Sequence, residues 1–358
     1  MRRLAILAPL LAALVSACGG SGGSIEQQAA VPAGDVDEPA TGTLRVFAYE
    51  DSVTEEMMAP FEAQNPGLTV KTATFDSDAE AAAKLAGGFS ADVVEVCLDE
   101  ATPLLDRGLL RPLDTEAVTE WDEIAFHEAE GVRDEGGAIM APLSAGPHGV
   151  IYNTEEIDGG IDSYADLYDP AYEGRTAIEG DYALPPVAVS ALATGVTDPM
   201  NMDAGTLAQV GDYMDENRAQ FRALWGSDSD LVNLYKSGEV VISDGNSGLA
   251  ARIEKAGVPI EWVAPKEGTL SWVCGFGITS KADNLDAAYR LINWQASPEA
   301  QAIRGESGYV VTNPAAVPLI DKANRATADP SSLDDAIPET YPPIYDDWVR
   351  TFEAFRAG

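Results

Sequence analysis

The feature that most constrains the fold is an alternation of short apolar segments and helical segments that begins at Leu44. Ser52 and Glu55 have the spacing of a capping box, which predicts a helix start after the first strand. The predicted elements are, in order, a strand over 44–49, a helix over 52–64, a strand over 68–75, a helix over 79–86, a strand over 92–97 and a helix beginning at 102–107. This alternation predicts a parallel α/β sheet.

Acidic and aromatic residues follow two of these predicted strands. The first strand ends at Tyr49 and Glu50, and the third ends at Cys97 and Asp99. Because ligands of open α/β sheets lie beyond the carboxyl ends of the strands, these residues are candidates for a binding site. The alternative is that each is a solvated loop residue.

A second series of strands and helices follows downstream. Its predicted strands cover 149–153, 175–178, 239–243, 260–264 and 270–278, and its predicted helices start at 163 and 297 and cover 284–294. Two of these strands end at Asp181 and Asp244, each next to a glycine. With 358 residues, of which 46% are hydrophobic, the chain can bury more than one core, so we expect two lobes.

The N-terminus has the pattern of a lipoprotein signal peptide. Arg2 and Arg3 precede an apolar run over 4–15, which is too short to span a bilayer, and small residues lead to Cys18. We expect residues 1–18 to be the signal peptide with its lipobox cysteine, cleavage before Cys18 and acylation of its thiol. Residues 19–41 would form a flexible tether. The alternative is an ordinary secretory signal with an incidental cysteine.

The formal net charge of −37 excludes nucleic acid as a partner, because so acidic a surface repels phosphates. Two interpretations of the charge stay open. The acids form a solvated surface, or their field concentrates a cationic ligand.

No catalytic or metal-binding motif is present, so we predict neither an enzyme nor a cofactor nor a metal site. The only two histidines are His127 and His148, and no second histidine completes a zinc-protease motif around His127. Nucleophile-elbow, Walker A and dinucleotide-binding motifs are also missing. Asp228 and Asp230 begin like a calcium loop, but the residues after them do not continue it.

From Gly42 onward the chain resembles the spermidine/putrescine-binding proteins of bacterial ABC importers. The segments that carry the resemblance are 258–272, 287–294, 297–299, 308–309, 312–314, 163–167 and 172–174. The resemblance implies an α/β protein with the type II periplasmic-binding fold, in which two lobes enclose a ligand cleft. The first lobe would hold 42–146 and 273–318, and the second would hold 147–272 and 319–358.

The resemblance also implies a polyamine-class ligand, held by aromatic faces and carboxylates. Tyr49, Asp181, Trp272 and Tyr309 match binding positions of the family. At other positions the chain departs from it: Cys97 replaces a serine, Asp99 and Asp244 replace aromatic residues, and Leu184 and Cys274 replace acids. Glu50, Asp99 and Asp244 could compensate for the missing acids. The predicted ligand-binding set is Tyr49, Glu50, Asp99, Asp181, Asp244, Trp272 and Tyr309.

The family positions of Cys97 and Cys274 reach the same ligand, which implies that the two thiols are close. Outside the cytoplasm they are the only pair left once Cys18 is acylated, so we predict a disulfide between them. The alternative is two unpaired, buried thiols.

Together these features predict a monomeric, lipid-anchored substrate-binding protein outside the cytoplasm. It would deliver a small cationic solute to the permease and ATPase subunits of an ABC importer. Two alternatives stay open. The same fold could bind another small solute, such as an organic amine, a compatible solute or a metal chelate. More remotely, the chain could be a periplasmic enzyme or a structural lipoprotein.

Overall fold

The computed structural model describes residues 39–75, 77–134 and 136–358. The predicted signal peptide, Cys18 and residues 19–38 of the predicted tether lie outside this part of the chain. The strands are β1 Thr41–Ala48, β2 Gly67–Thr74, β3 Val93–Cys97, β4 Leu110–Arg111, β5 Arg133–Asp134, β6 Gly137–Ala138, β7 Met140–Asn153, β8 Thr176–Glu179, β9 Phe221–Trp225, β10 Ile242–Asn246, β11 Ile260–Val263, β12 Leu270–Thr279 and β13 Ile337–Pro338.

Helices separate most of these strands and pack on the sheet. They are α1 Glu55–Gln64, α2 Asp78–Ala86, α3 Leu98–Asp106, α4 Leu184–Ala193, α5 Ala204–Glu216, α6 Asp228–Ser237, α7 Ser247–Lys255, α8 Leu285–Ala296, α9 Pro298–Glu306, α10 Arg325–Ala328 and α11 Tyr345–Ala357. The alternation predicted for the first hundred residues is confirmed.

Two predicted helix starts need correction. The cap of α1 is Thr54, whose hydroxyl accepts from the Met57 amide, whereas Ser52 lies in the preceding 3-10 turn and is buried. At Ser163 both bonds of a capping box are present, but the element they open is a 3-10 turn over Tyr164–Tyr168 rather than an α-helix.

The sheet runs in the order β2-β1-β3-β12-β7-β10-β8-β9. The pairs of β1 with β2 and with β3 are parallel, as are those of β8 with β9 and β10. The two long strands β7 and β12 lie between these parallel groups and pair antiparallel with each other. The carboxyl ends of both parallel groups therefore lie beside this central pair.

Strands β7 and β12 connect the two groups, because β12 pairs with β3 of the first group, β7 pairs with β10 of the second, and the two strands pair with each other. In β7 the residues 140–148 pair with β12, and the residues 148–153 pair with β10 or β11. In β12 the segment 274–278 pairs with β3, while Leu270 and Ser271 pair with β13. The chain thus passes between the two groups within regular strands.

The buried apolar side chains form two main clusters, one on each side of this central pair. The first surrounds β1, β3 and α8, with Phe47, Phe276 and Tyr289 almost fully buried. The second surrounds α4, α5 and α11, with Trp348 and Tyr164 fully buried. We call the parts of the protein around these clusters the first lobe and the second lobe.

The predicted lobe boundaries near 146 and 273 remain predictions, although both fall within the two connecting strands. The prediction that everything after 318 belongs to the second lobe fits the packing less well. Leu333 packs in the first cluster, and Ile337 contacts the second. This packing favours a third passage between the lobes at β13 instead of near Leu319.

Candidate functional site

A cavity of about 490 Å³ lies between the lobes. Most of its wall comes from residues that follow the parallel strands, as the sheet pattern predicts. Tyr49 follows β1, Asp99 follows β3, and Asp181 and Gly226 follow β8 and β9. The sequence order of the strands therefore brings residues that are far apart in the chain to a single site.

The wall of the first lobe combines an aromatic pair with buried acids. The rings of Tyr49 and Phe75 meet edge to face with centroids 4.5 Å apart. Asp78 and Asp99 lie at the first turns of α2 and α3, and burial raises the pKa of both carboxyls well above their usual range. Oδ1 of Asp78 has no hydrogen-bond partner among the described residues. This part of the cavity can accept a cation that neutralises the acids.

Glu95 lies deeper in the same lobe and is held by a buried network. One carboxylate oxygen accepts from the Ser52 hydroxyl at 2.8 Å, and the other accepts from the Tyr49 amide at 3.1 Å. Arg304 donates to the Ser52 oxygen and to Gln295. Burial raises the pKa of Glu95 to about 7, although the nearby Arg304 charge opposes this rise. The network also fixes the backbone from which Tyr49 projects.

The wall of the second lobe carries a pair of neighbouring acids. Glu179 ends β8, and Asp181 follows two residues later and accepts from the Tyr182 amide at 2.9 Å. Burial raises the pKa of Asp181 to about 6, and burial together with the Asp181 charge raises that of Glu179 well above its usual range. Two acids that both resist ionisation in the free cleft are suited to a positively charged ligand.

Three further side chains lie next to the pair of Glu179 and Asp181, namely those of His148, Glu339 and Asp244. His148 is in β7 and its carbonyl accepts from the Tyr164 hydroxyl at 2.5 Å. Glu339 follows β13, and its amide donates to the Ser271 carbonyl at 2.8 Å. Asp244 is fully buried in β10 and accepts from the Glu179 amide and from the Trp225 indole, both at 2.9 Å.

Trp272 and Tyr309 form an aromatic corner between the lobes. Their rings meet edge to face with centroids 5.7 Å apart. The indole of Trp272 packs so closely on Gly146 that a Cβ there would lie 2.6 Å from the ring. Gly146 thus permits the orientation of Trp272, and the ring faces can contact an alkyl ammonium chain.

Arg252 joins the lobes at one side of the cavity. Its guanidinium pairs with Asp228 at 2.7 Å and donates to the Tyr309 hydroxyl at 3.2 Å. Among the described residues that line the cavity it is the only arginine or lysine, whereas nine aspartates and glutamates line it. The cavity therefore favours cations over anions.

Cys97 and Cys274 lie in the floor of the cavity, and the structure joins them by a disulfide. They stand opposite each other where β3 pairs with β12. The bond itself stays a prediction, to be decided by thiol titration.

The structure brings together six of the seven residues predicted to bind the ligand. The six that line the cavity are Tyr49, Glu50, Asp99, Asp181, Trp272 and Tyr309. Asp244 lines no part of it, because its carboxylate is directed at the buried groups of the second lobe. That the six contact a ligand stays a prediction.

Several residues that line the cavity do not belong to the predicted ligand-binding set. These are Asp51, Phe75, Asp78, Glu95, His148, Glu179, Tyr182, Trp225, Asp228, Arg252 and Glu339. Glu179 directly follows a predicted strand, so the strand-end rule could have included it. No sequence pattern links Glu339 to this site.

This fold and this cleft define a class of protein in which two lobes, joined by strands that run from one lobe to the other, enclose a polar cavity. Such a cavity can hold a small solute. The chain belongs to the bacterial extracellular solute-binding protein family, whose model matches residues 56–331.

One relative is spermidine/putrescine-binding periplasmic protein 1 of Haemophilus influenzae. It is 25% identical over 333 residues, which cover 91% of this chain and 88% of the relative. This similarity confirms the resemblance to the spermidine/putrescine-binding family.

Two solved structures show the fold. The Tp0655 lipoprotein of Treponema pallidum superposes with a TM-score of 0.78 at 17% identity, covering 88% of this chain and all of that one (100%). The periplasmic binding protein MotA of A. tumefaciens, in complex with glucopine, gives a TM-score of 0.73 at 18% identity, with 88% of this chain and 100% of that chain covered. The predicted type II periplasmic-binding fold is therefore confirmed.

The family and its relatives serve ABC transporters as substrate-binding proteins, so this chain is a binding protein for transport and not an enzyme. Members of the family act outside the cytoplasm, which agrees with the expected location. Among the described residues no helix is long and apolar enough to cross a membrane.

Proposed function

We propose that the protein binds a polyamine-class cation of the putrescine or spermidine type and delivers it to the permease of an ABC importer. The observation that carries this proposal is the crowding of buried carboxylates around the cavity. Asp78, Asp99, Glu179 and Asp181 all have raised pKa values because burial and neighbouring acids oppose their ionisation. A bound polyammonium chain would relieve this repulsion.

The aromatic rings supply the complementary part of such a site. Tyr49 and Phe75 stand on the first lobe, and Trp272 meets Tyr309 between the lobes. An ammonium or its flanking methylene groups within about 6 Å of a ring face gains cation–π attraction. Carboxylates then fix the positions of the charged ends by charge-assisted hydrogen bonds.

A second candidate is a smaller or differently spaced organic amine. Two family acids are missing, because Cys274 and Leu184 occupy their positions, and the first of these lies in the cavity floor. A ligand with no ammonium near the floor would suit this arrangement. The glucopine-binding relative supports a choice of ligand broader than polyamines within the same fold.

A thermal-shift screen separates these candidates, because a ligand that binds only the folded protein raises the melting temperature. We would compare putrescine and spermidine with glycine betaine, a neutral sugar and γ-aminobutyrate. Under the proposal the two polyamines raise the melting temperature and the sugar does not. A shift with γ-aminobutyrate or betaine and none with polyamines would reject the polyamine ligand while leaving the binding-protein assignment intact.

We further propose that the protein is anchored by lipid at Cys18 and acts as a monomer. The Val15-Ser16-Ala17-Cys18 junction supports the anchor. An acyl chain would hold the two lobes near the membrane that contains the permease. The residues between Cys18 and the first lobe would be a flexible tether that lets the lobes reach the permease.

A further inference from the structure

Both ring nitrogens of His148 face carboxylates. Nε2 lies 3.3 Å from Oδ2 of Asp244, while Nδ1 lies 3.6 Å from Oε1 of Glu339 and 3.9 Å from Oε2 of Glu179. His148 and Glu339 are 4% and 3% exposed, so bulk water does not screen these groups. A neutral imidazole carries a hydrogen on only one nitrogen, so the lone pair of the other would point at an acid. An imidazolium, which carries a hydrogen on both nitrogens, suits these surroundings.

The acids reach this imidazole from several elements of the second lobe. Asp244 comes from β10, Glu179 ends β8, and Glu339 follows β13. Burial alone would lower the pKa of the imidazole. The hydrogen bond to Asp244 and the charges of Glu339 and Asp181 outweigh burial and raise that pKa above its ordinary value. Tyr164 also contacts this residue, but through its hydroxyl and the backbone carbonyl. The charged groups around the ring are therefore all acids.

These acids have no other basic partner in the described part of the chain. The ion pairs of Glu179, Asp244 and Glu339 are all with the imidazole. Arg252, the only arginine or lysine among the described residues of the cavity wall, is paired with Asp228 instead. Oε1 of Glu339 is buried and accepts no hydrogen bond from a described residue, so a positive charge on the ring is what compensates it. The imidazole thus supplies the cation of this acid cluster.

The same arrangement explains why Asp244 lines no part of the cavity. Both of its carboxylate oxygens are occupied, because they accept from the Glu179 amide, the Trp225 indole and His148. An ammonium of the ligand cannot reach this acid without displacing the imidazole. It is left with Asp181 and with the acids of the first lobe.

We propose that His148 is a specificity-determining imidazolium, a resident cation that occupies the place of one ligand ammonium in the second lobe. This inference rests on the proposed function, since it concerns the charge of an amine bound in the same cleft. Because like charges repel, the imidazolium opposes each ammonium of the ligand, and it opposes a ligand with more ammonium groups more strongly. The resident charge shifts the preference of the cleft from triamines toward diamines.

The size of the cavity sets the size of this effect. Two unit charges about 12 Å apart, at an effective dielectric constant of about 20, change a binding constant about 10-fold. In a cavity of about 490 Å³ a bound ammonium lies at or within that distance of the ring. Loss of the imidazolium should therefore lower the Kd of an amine about 10-fold. By reciprocity, a bound amine should lower the midpoint of the imidazole titration by about 1 pH unit.

NMR titration of the histidine rings measures the charge of His148 directly. The full chain with Cys18→Ser would be used without a histidine tag, and His127→Gln assigns the signals, because the sequence has only two histidines. In the free protein the His148 ring should titrate above the ordinary midpoint of about 6.5. Saturating putrescine should lower that midpoint by about 1 pH unit. A ring that is neutral from pH 5 upward, or a midpoint that putrescine does not move, would overturn the proposal.

Charge variants give a second readout, by calorimetry with putrescine and spermidine at pH 6. His148→Gln removes the charge and should lower the Kd of putrescine about 10-fold and that of spermidine by more. His148→Lys keeps a positive charge and should retain the wild-type preference between the two amines. His127→Gln is the matched control and should bind both amines as the wild type does. Equal Kd values in His148→Gln and wild type would also overturn the proposal. If the His148 variants do not fold, the NMR titration of the wild type decides alone.

The two proposals can fail separately. If both amines bind the wild type, but putrescine leaves the His148 midpoint unmoved, this inference fails and the polyamine proposal stands. If neither amine binds the wild type or any variant, the polyamine proposal fails and this inference fails with it.

Discussion

Cys97 lies directly opposite Cys274 in the antiparallel pair of β3 and β12, and their Cα atoms are 3.9 Å apart. The two residues are 177 positions apart in the sequence, so a bond between them closes a very long loop. A disulfide at this position would be uncharged, so the charged groups of the cleft would lie on its walls and not on its floor.

Thiol titration decides whether this bond forms in the exported protein. We expect no free thiol from Cys97 or Cys274 when the unreduced mature protein is unfolded, and two after reduction. In the chain-entropy model a loop this long contributes roughly 5 kcal/mol, which Cys97→Ala with Cys274→Ala should remove. Two thiols that titrate without reductant would show that the cysteines are unpaired.

Asp181→Asn should weaken amine binding. Loss of a charged hydrogen bond costs about 1.5–3 kcal/mol, which corresponds to roughly a 10- to 150-fold rise in Kd. Calorimetry with putrescine and spermidine measures it. Asp215→Asn, which removes an exposed acid from α5, should leave the Kd unchanged. Equal affinity in wild type and Asp181→Asn would mean that Asp181 does not contact the amine.

Glu95 should make stability depend on pH. Burial raises its folded pKa from 4.5 to about 7, so the folded protein holds the proton more tightly than the unfolded chain. The resulting stability is present below pH 4.5 and is lost as the pH rises through 7, by roughly 3 kcal/mol. Urea unfolding at several pH values should show this loss in wild type and a flatter profile in Glu95→Gln.

The exposed Glu216→Gln is the control for Glu95, and its profile should follow that of the wild type. If Glu95→Gln loses as much stability as wild type between pH 4.5 and 7, the pH dependence of the unfolding free energy has a source other than Glu95.

Gly146→Ala should displace the indole of Trp272, because the added Cβ would lie 2.6 Å from the ring. Overpacking of this kind costs typically about 1–3 kcal/mol. We expect a shift in tryptophan fluorescence and weaker amine binding. Gly205→Ala adds the same methyl group in α5, where its nearest neighbour is Asp203 Oδ1 at 3.4 Å, and should change neither. Unaltered amine binding in Gly146→Ala would remove Trp272 from the proposed site.

Cys18 should be the first residue of the mature protein and should carry acyl chains. The intact mass of the native protein measures both the cleavage point and the added lipid. Cys18→Ser should move the protein from the membrane fraction to the soluble fraction. A wild-type product cut elsewhere and without lipid would contradict the anchor.

The sequence predicts the strand ends well because each depends on local residues. Tyr49, Asp99 and Asp181 each follow a short apolar run, and the parallel sheet then brings them to one cavity. Asp244 fails this rule for a physical reason. It lies within β10, whose Ile242, Ser243 and Asp244 are all buried, so alternation does not reveal which side chain faces the cleft.

Residues that arrive through long-range pairing could not be predicted in this way. Glu339 reaches the site only because β13 pairs with Leu270 and Ser271. His148 lies in a long strand that was predicted only from Gly149 onward. Helices α4 to α7 and α11 were also not predicted, and α4, whose residues are nearly all buried, has no polar face to give a helical period.

The position of α11 has a consequence for the order in which the protein folds. Trp348, Phe352 and Phe355 fill the same cluster as Val150 and Tyr164, about half a chain earlier. Contacts of such high sequence separation form late and slowly. The second lobe therefore cannot close its interior until the final residues of the chain are in place, and during this interval its unfinished apolar surface is open to chaperones and proteases.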